Sequence, residues 1–184
     1  MILGIDISTS CTGFSIIDND GKLHEISFCY LNNLENIFEK AICVKKEIER
    51  YNLKYKIKAI AIEENLTAFR RGLSSAQTIV TLARFNGIVC YLSFDVTSIQ
   101  PTIIPVSSAR KSLGIRTAKK GEDAKAIVKE WVNSQVIDYE WPTKIMKSGP
   151  RKGDVVLEKG VEDAMDAYVM ARSYLVLKKQ QSSY

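Results

Sequence analysis

Three short apolar runs open the chain, and each has the length and composition of a β-strand. They cover residues 1–7, 12–17 and 22–30. The segment Asp18-Asn-Asp-Gly21 between the second and third runs has the composition of a hairpin turn. The pattern therefore predicts three hairpin-connected strands at the start of the fold.

Helical and strand-like patterns alternate after residue 30. Asn33 is a candidate N-cap for a helix, and Ser107 or Ser108 for a short helix that ends at Gly114. The other predicted segments are a strand over 57–63, a helix over 74–92, a strand over 102–106, a helix over 122–133, a mobile basic loop over 139–160 and a last helix that ends near Lys178. This order predicts an α/β fold with a five-stranded mixed sheet, three antiparallel strands followed by two parallel ones, flanked by helices.

Asp163 and Asp166 lie three residues apart in the last predicted helix. Steps of three and four residues return to the same face of a helix, so both acids share a stripe with apolar residues. The rest of this stripe is Ala167, Met170, Tyr174 and Leu177. Carboxylates that face a core are costly unless a positive group meets them. The pattern indicates a metal site or a catalytic site.

Two further acids interrupt or end predicted strands. Side chains alternate across a strand, so Asp6 shares its face with Gly4 and Ile2. By the same rule Glu63 shares its face with two alanines, whereas Glu64 lies with isoleucines on the opposite face. This difference favours Glu63 over Glu64 as the neighbour of Asp6.

Four converging carboxylates would repel one another and raise one another's pKa values. Hard divalent cations relieve that repulsion, and Mg²⁺ is typically held by few carboxylates together with waters and substrate phosphate. Two such ions can activate a water and stabilise the leaving oxygen of a phosphodiester. The opposing interpretation is that the acids are unrelated and serve as surface charge or as a helix cap.

The composition is that of an ordinary soluble globular protein, with 46% hydrophobic and 26% charged residues among 184. We expect one domain over residues 1–178 and a frayed tail over 179–184. No apolar stretch approaches membrane-spanning length, and the N-terminus lacks the pattern of a signal peptide, so a cytoplasmic protein with no membrane partner is expected. Four cysteines without C-x-x-C spacing and a single histidine, His24, argue against zinc and favour reduced thiols.

Basic residues concentrate in two segments of a chain whose net charge is +5. They are Arg110, Lys111, Arg116, Lys119, Lys120 and Lys125 in the first segment and Lys144, Lys147, Arg151, Lys152 and Lys159 in the second. A carboxylate cluster within basic surroundings suits a polyanion that is bridged by metal, such as nucleic acid. Charge runs are usually solvated surface, so this signal is weak by itself.

The segments that carry the acids resemble, in the same order, the motifs of the RuvC family of Holliday junction resolvases in the RNase H-like superfamily. The matching segments are Ile2-Leu-Gly-Ile-Asp6 with Ser8 and Thr12-Gly13 for the first motif, Ala61-Ile-Glu-Glu64 for the second, Lys125-Ala-Ile-Val128 for the start of the basic helix and Asp163-Ala-Met-Asp-Ala167 for the last motif. The likeness spans nearly the whole chain. Each motif alone is weak, but the ordered set is fairly specific.

The resemblance implies an RNase H-like fold and a Mg²⁺-dependent endonuclease that acts as a homodimer on branched DNA. Each subunit would nick one of two symmetry-related strands. Carried over residue by residue, Asp6, Glu63, Asp163 and Asp166 become the metal-binding catalytic acids. Asp6 would bridge two Mg²⁺ ions, for which Mn²⁺ is the expected substitute.

The resemblance also implies a basic residue near the acids. Lys125 matches it best, with Lys119 and Lys120 as alternatives. The helix over 74–92 has two apolar sides, which suggest burial in both the core and a subunit interface, and it matches the dimer helix of the family. The expected DNA contacts are Phe69, Arg70, Arg71, Arg110, Lys111, Lys119, Lys120, Lys147, Arg151 and Lys152.

Two features depart from the family pattern. The family often places a stacking aromatic three residues after the second-motif glutamate, and this chain has Leu66 there. Phe69, beside Arg70 and Arg71, can stack on an unpaired base, although packing of Phe69 into the core is an equal alternative. The basic loop over 139–160 also exceeds the needs of a compact bacterial member. Both departures suggest a divergent relative, and we hypothesise a phage-encoded one that works in the host-cell cytoplasm; no helicase partner is indicated.

Three alternatives stay open. Asp6-Ile-Ser-Thr-Ser10 followed by Thr12-Gly13 also resembles the phosphate-binding opening of actin-like and sugar-kinase-like folds, which would make the chain a nucleotide-binding scaffold. Those folds need a second lobe, for which this chain is too short. A catalytically silent binder of branched DNA is the second alternative, and an RNA-processing nuclease of the same superfamily is the third.

Overall fold

The computed structural model describes residues 1–64 and 76–181 of the chain. Twelve helices and strands are assigned in these ranges. In chain order they are β1 (Ile2–Asp6), β2 (Cys11–Ile17), β3 (Leu23–Tyr30), α1 (Ile37–Lys54), β4 (Ala59–Glu63), α2 (Ala76–Thr97), β5 (Thr102–Ile104), α3 (Val106–Ser112), α4 (Ala124–Gln135), β6 (Thr143–Ile145), β7 (Val155–Leu157) and α5 (Val161–Gln181).

Five strands form one mixed sheet in the order β3-β2-β1-β4-β5. The first three strands pair antiparallel, because tight turns connect them. β4 pairs parallel with β1, and β5 pairs parallel with β4, since a helix lies between the partners in each chain connection. The predicted fold class is confirmed, with three antiparallel strands followed by two parallel ones and helices on both faces.

Alternation along the central strands separates two cores. Leu3 and Ile5 of β1, with Ile60 and Ile62 of β4, face the layer formed by α1 and α2. The opposite face carries smaller residues and is covered by α5, against which α3 and α4 pack. Because α5 lies between the sheet and two further helices, it is buried over most of its circumference.

Two helix starts differ from the prediction. Helix α1 is capped by Asn36 and not by Asn33, because the Asn36 side chain accepts hydrogen bonds from the backbone N–H groups of Phe38 and Glu39. Helix α3 begins after Pro105, which provides no side-chain cap, so neither predicted serine caps it. Proline fixes φ near the helical value, and this suits it to the start of a helix.

The segment 139–160 is not the mobile loop that its glycines and charges suggested. Strands β6 and β7 pair antiparallel within it and form a separate two-stranded sheet. Gly149 and Gly153 have φ values of +80° and +94°, which are positions that side chains other than glycine rarely adopt. Residues 142–158 are called the β6–β7 hairpin below.

Helix α2 corrects the expectation that no stretch reaches membrane-spanning length. Among the described residues it is the one helix that is long and apolar enough to cross a membrane, which is weak evidence of a span when a single helix is concerned. Exposed residues recur along it at three- and four-residue steps, on one face. They are Val80, Ala83, Gly87, Tyr91 and Phe94, called the α2 stripe below. The helix thus carries an apolar face that residues 1–64 and 76–181 leave exposed.

Helix α5 continues to Gln181, three residues beyond its predicted end. The division into one domain over 1–178 and a frayed tail over 179–184 stays a prediction. Cys11 and Cys29 are buried free thiols, and His24 lies exposed on the edge strand β3, where it contacts Asp18.

Candidate active site

Helix α5 lies directly on the sheet because two of the residues beneath it are glycines, which have no side chain. A Cβ atom at Gly4 would lie 2.0 Å from the carbonyl oxygen of Ala167, and one at Gly13 would lie 2.2 Å from the carbonyl carbon of Asp163. The atoms they would meet belong to the backbone of α5, so a local side-chain movement cannot relieve the clash. Glycine at these two positions therefore fixes how closely the first turns of α5 approach β1 and β2.

The register of the sheet places Asp6 and Glu63 side by side. Ile5 of β1 pairs with Ile62 of β4, so the next residue of each strand ends at the same edge of the sheet and points to the same face. Glu63 is half-buried whereas Glu64 is exposed, which confirms that Glu63 is the neighbour of Asp6.

Helix α5 brings the other two acids to this edge. Asp6 pairs with Gly13 across β1 and β2, and Asp163 lies directly over Gly13. Asp166 follows one turn later and acts electrostatically on both Asp6 and Glu63. The four predicted acids are therefore brought together by β1, β4 and α5.

Negative charge is costly to hold at this site. Burial, with the charges of Glu63, Asp166 and Asp163, raises the pKa of Asp6 well above its usual range. Burial and the charge of Asp166 raise the pKa of Glu63 to about 7. Burial also raises the pKa of Asp166 to about 6 and raises that of Asp163. Protons or cations must compensate these carboxylates.

Two cationic side chains flank the acids. The charge of Arg110 on α3 opposes the rise in the pKa of Glu63 and of Asp166. The charge of Lys125, at the start of α4, also opposes the rise in the pKa of Asp166. The ammonium group of Lys125 lies 3.6 Å from the Glu162 carboxylate. Burial lowers the pKa of Lys125, but the surrounding acids outweigh burial and raise it. The structure thus brings Lys125 to the acids, as predicted, while Arg110 was predicted only as a DNA contact.

Cys11 is a neighbour of the acids that sequence reasoning missed. Its thiol is buried, hydrogen-bonds to Asp163, and has a raised pKa because of burial and the charge of that acid. The strand pattern placed Cys11 next to the first motif, but only the approach of α5 shows that it meets Asp163.

The remaining predicted DNA contacts lie in three places. Lys111 is exposed on α3, and Lys119 and Lys120 are exposed just before α4. Exposed side chains of the β6–β7 hairpin form the second group, namely Lys147, Arg151 and Lys152. The third group, Phe69, Arg70 and Arg71, lies outside the described residues, as does Leu66.

The donor set fits a hard divalent cation. It offers carboxylate oxygens, and the raised pKa values identify sites where an ion can replace a proton. Within the described ranges, no three side chains of Asp, Glu, His or Cys lie together in an arrangement that could hold a metal ion without further ligands or movement. Mg²⁺ suits such an open arrangement, because it keeps several waters and takes further oxygens from a phosphate.

These elements define an RNase H-like fold, the class to which RuvC-type resolvases belong. The chain is similar to T. thermophilus RuvC in complex with a Holliday junction substrate, with a TM-score of 0.67 and 13% identity over 97% of this chain and 94% of that one. It is similar to the Thermus thermophilus RuvC structure with a TM-score of 0.64 and 14% identity, over 98% and 96% of the two chains.

A third similar structure is the yeast mitochondrial Holliday junction resolvase Ydc2, with a TM-score of 0.59 and 16% identity over 100% of this chain and 80% of that one. No protein-family model matches the sequence, and no curated protein matches it. At identities this low the likeness establishes the fold, and the chemistry is argued from the site.

Proposed function

We propose that this protein is a divalent-metal-dependent endonuclease that nicks branched DNA, Holliday junctions above all, as a homodimer. The observation that carries the proposal is the convergence of four carboxylates from β1, β4 and α5 on one buried face of an RNase H-like fold. Uncompensated carboxylates in that position would destabilise the fold, which supports a role that requires them.

Asp6, Glu63, Asp163 and Asp166 are the residues that would hold the metal, proposed to be two Mg²⁺ ions with Mn²⁺ as a substitute. Bound there, the ions would supply the charge that activates a water and stabilises the leaving oxygen of a phosphodiester. Asp6 is central to the set, since each of the other three acids acts on its pKa. Its carboxylate is therefore the one that we expect to contribute most to holding the metal.

The cationic residues have complementary roles in this proposal. Lys125 and Arg110 flank the acids, and their charges favour the ionised carboxylates. The same charges would orient an incoming phosphate and offset the negative charge that develops on it during hydrolysis. Lys125 is the proposed catalytic lysine, because it acts on Asp163 and Asp166 together.

The substrate class is inferred from charge and from similar proteins. The structures similar to this chain include a RuvC in complex with a Holliday junction substrate and the resolvase Ydc2. Lys111, Lys119 and Lys120 are exposed near the basic helix and are proposed phosphate contacts. The basic residues of the β6–β7 hairpin are proposed as further contacts, as are Phe69, Arg70 and Arg71. The proposed place of action is the cytoplasm, that of the host cell if the gene is carried by a phage.

The proposed homodimer forms through the α2 stripe. Val80, Tyr91 and Phe94 leave 45%, 64% and 50% of their surfaces exposed. Exposed apolar side chains on one face of a long helix are typical of a helix that packs against another copy. Gly87 lies in the middle of the stripe and would permit a close approach of two helices.

End-labelled cleavage tests the proposal. A four-way junction is incubated with the protein beside linear duplex, flap and RNA substrates, in Mg²⁺ or in EDTA. We expect paired nicks at symmetric positions of the junction that disappear in EDTA. Asp6→Asn and Glu63→Gln should each reduce the cleavage rate by at least about a hundredfold, because each removes a charge from the site, and both should keep junction binding.

Glu64→Gln is the matched control, because Glu64 is adjacent in sequence but exposed. It should cleave at the wild-type rate. Cleavage by Asp6→Asn at the wild-type rate would contradict the proposal. Junction binding without cleavage by the wild-type protein would favour the silent binder, and preferred cleavage of RNA would favour the RNA-processing relative.

The nucleotide-binding scaffold is the less favoured alternative. It requires ATP binding, and it gives no reason for Asp163 and Asp166 to approach Asp6 on a buried face. ATP binding without Mg²⁺-dependent nicking would support that alternative.

A further inference from the structure

The β6–β7 hairpin is fixed at its base and projects its distal half into solvent. The Glu158 N–H donates to the carbonyl oxygen of Pro142, which closes the base of the hairpin. Just beyond it, the Gly160 N–H donates to the Tyr30 hydroxyl, and Gly160 packs so tightly against Phe28 that a Cβ would lie 2.3 Å from the ring. The base is therefore held against β3.

An apolar pair lies exposed on the distal half of the hairpin. Ile145 and Val155 are directly opposite each other in the register of β6 and β7, so their side chains share one face. They leave 64% and 67% of their surfaces exposed. Leu157, on the same face but nearer the base, is half-buried against the main core. The exposed pair therefore continues an apolar face beyond the point where the protein covers it.

Basic residues flank this pair along the chain, with Lys144 on the opposite face of the hairpin from Ile145. Lys144, Lys147 and Lys152 are exposed, and none has an ion-pair partner among the residues that the structure describes. Arg151 contacts Asp154 within the turn. A second copy of this hairpin would be repelled by these charges, whereas a polyanion would be attracted. Charge thus favours nucleic acid over a protein with a similar basic surface.

The hairpin leads directly into the candidate active site. Gly160 connects it to α5, whose first turn carries Asp163. The charge of Lys159, at the end of the hairpin, acts on the pKa of Asp163. DNA held at the acids would therefore pass next to the hairpin.

We propose that the β6–β7 hairpin contacts the branch of the DNA, with Ile145 and Val155 against base faces exposed where strands separate and Lys144, Lys147 and Lys152 on the flanking phosphates. The inference rests on the proposed function, because it needs branched DNA at the acids. Apolar side chains that enter between bases open the stack and bend the duplex. Linear duplex offers no such exposed faces, so the pair would favour branches, whereas the lysines would favour any DNA.

Binding in EDTA tests the hairpin separately from cleavage. The substrates are a four-way junction with 2-aminopurine at the branch and a linear duplex of the same sequence. Ile145→Ser combined with Val155→Ser should weaken junction binding about tenfold, as expected for the loss of a base contact. The wild-type protein should raise the 2-aminopurine fluorescence of the junction, because it opens the base stack at the branch. The double serine variant should abolish this rise and should change the affinity for linear duplex by less than about twofold.

Lys147→Ala combined with Lys152→Ala should weaken binding to both substrates and reduce the slope of log affinity against log salt by about two. Leu53→Ser is the matched control, because Leu53 is 89% exposed on α1 and lies outside the proposed surface. It should change neither binding nor fluorescence. Circular dichroism and melting temperature establish that each variant is folded.

Unchanged junction affinity and fluorescence in the serine variant would overturn the hairpin proposal. A loss of the dimer in that variant with binding intact would also overturn it, because the pair would then cover a second copy. These outcomes are separate from failure of the nuclease proposal, which appears as wild-type protein that does not nick the junction in Mg²⁺.

Discussion

Asp166 lies where its ionised form is disfavoured by burial, although Arg110 and Lys125 partly offset that effect. The folded state raises its pKa from 3.8 to about 6, so its contribution to stability is present below pH 3.8 and is lost as the pH rises through 6. Glu63 behaves in the same way between its ordinary value of 4.5 and about 7. Stability of the metal-free protein should therefore fall between about pH 4 and pH 7.

Asp166→Asn should stabilise the metal-free protein at pH 8 by about 1–3 kcal/mol, because it removes a carboxylate that must ionise within the site. Its advantage over the wild type should disappear below about pH 4. Thermal melts from pH 4 to pH 8 measure this, with Asp20→Asn, an exposed turn acid, as the control. Added Mg²⁺ should raise the wild-type melting temperature more than that of the variant. An Asp166→Asn variant less stable than the wild type at pH 8 would contradict the electrostatic account.

Gly13 determines the distance between α5 and the sheet. Gly13→Ala would place a Cβ 2.2 Å from the backbone of Asp163, so it should lower the free energy of unfolding by about 1–3 kcal/mol or more and displace the first turn of α5. Ser15→Ala is the matched control on the same strand and face, since it removes a buried hydroxyl for which the described part of the chain offers no hydrogen-bond partner. It should be neutral or slightly stabilising. Denaturant unfolding of both variants distinguishes a clash at Gly13 from general sensitivity of β2.

At the scale of single residues, the four acids were predictable from the sequence because each interrupts an apolar pattern of known period. Strand alternation identified Asp6 and separated Glu63 from Glu64, and helical spacing linked Asp163 to Asp166. Cys11 and Arg110 lack such a signal. Their positions depend on how closely α5 and α3 pack, and no local pattern in the sequence reports that distance.

Strand β3 and helix α1 are joined by a cluster of ionic hydrogen bonds around Glu25. Three side chains donate hydrogen bonds to the Glu25 carboxylate. They are Arg50 and Lys54 of α1 and Tyr55, the residue that caps the C-terminus of this helix. Burial alone would raise the pKa of Glu25, but these hydrogen bonds outweigh burial and lower it to about 2. Its ionised form thus stabilises the edge of the sheet above pH 4.5, and this stabilisation is lost as the pH falls through 2.

Glu25→Gln should lower the free energy of unfolding at pH 7 by about 1–2 kcal/mol, because charge-assisted hydrogen bonds become neutral ones. The difference from the wild type should shrink as the pH falls from 4.5 towards 2. Chemical denaturation across this range measures it. Glu49→Gln, whose ion pair with Lys45 is long at 4.0 Å, is the control and should change stability little. Equal losses in both variants would contradict a specific role for Glu25.

The largest difference between expectation and structure lies in elements too short to show a period. Strands β6 and β7 have three residues each, and the glycines and lysines around them are typical of loops. Their pairing is decided by hydrogen bonds within the connection over 146–154 and by contact of the hairpin base with β3. The longer elements were predicted because apolar residues repeat over several turns or over five or more strand positions.

At the scale of the whole molecule, the α2 stripe should decide the oligomeric state. Tyr91→Glu combined with Phe94→Glu would introduce charges into a buried interface and should convert a dimer to a monomer at micromolar concentration. Sedimentation velocity measures this, and junction cleavage should change from paired to single nicks. Leu53→Glu, at an apolar and more exposed position on α1, should leave the dimer intact. A wild-type protein that sediments as a monomer would refute the dimer.

The directions of the five strands followed from the sequence, because three hairpin-linked strands pair antiparallel and helix-linked strands pair parallel. Helical periodicity also suggested two apolar sides for α2. The exposed face of that helix could not be separated from its buried face without the packing of α1, since both faces are apolar. The identity of the partner surface likewise depends on a second chain, which one sequence does not describe.

Helix α5 supplies two of the four acids and also covers one whole face of the sheet. A chain that lacks residues 161–181 would lose two of the proposed metal-binding acids and its folded core in the same event. Proteolysis or interrupted synthesis before this helix should therefore yield unfolded fragments that are degraded, and never a folded protein with partial activity. For the nuclease proposed above, this coupling means that an incomplete molecule would be unable to cut DNA.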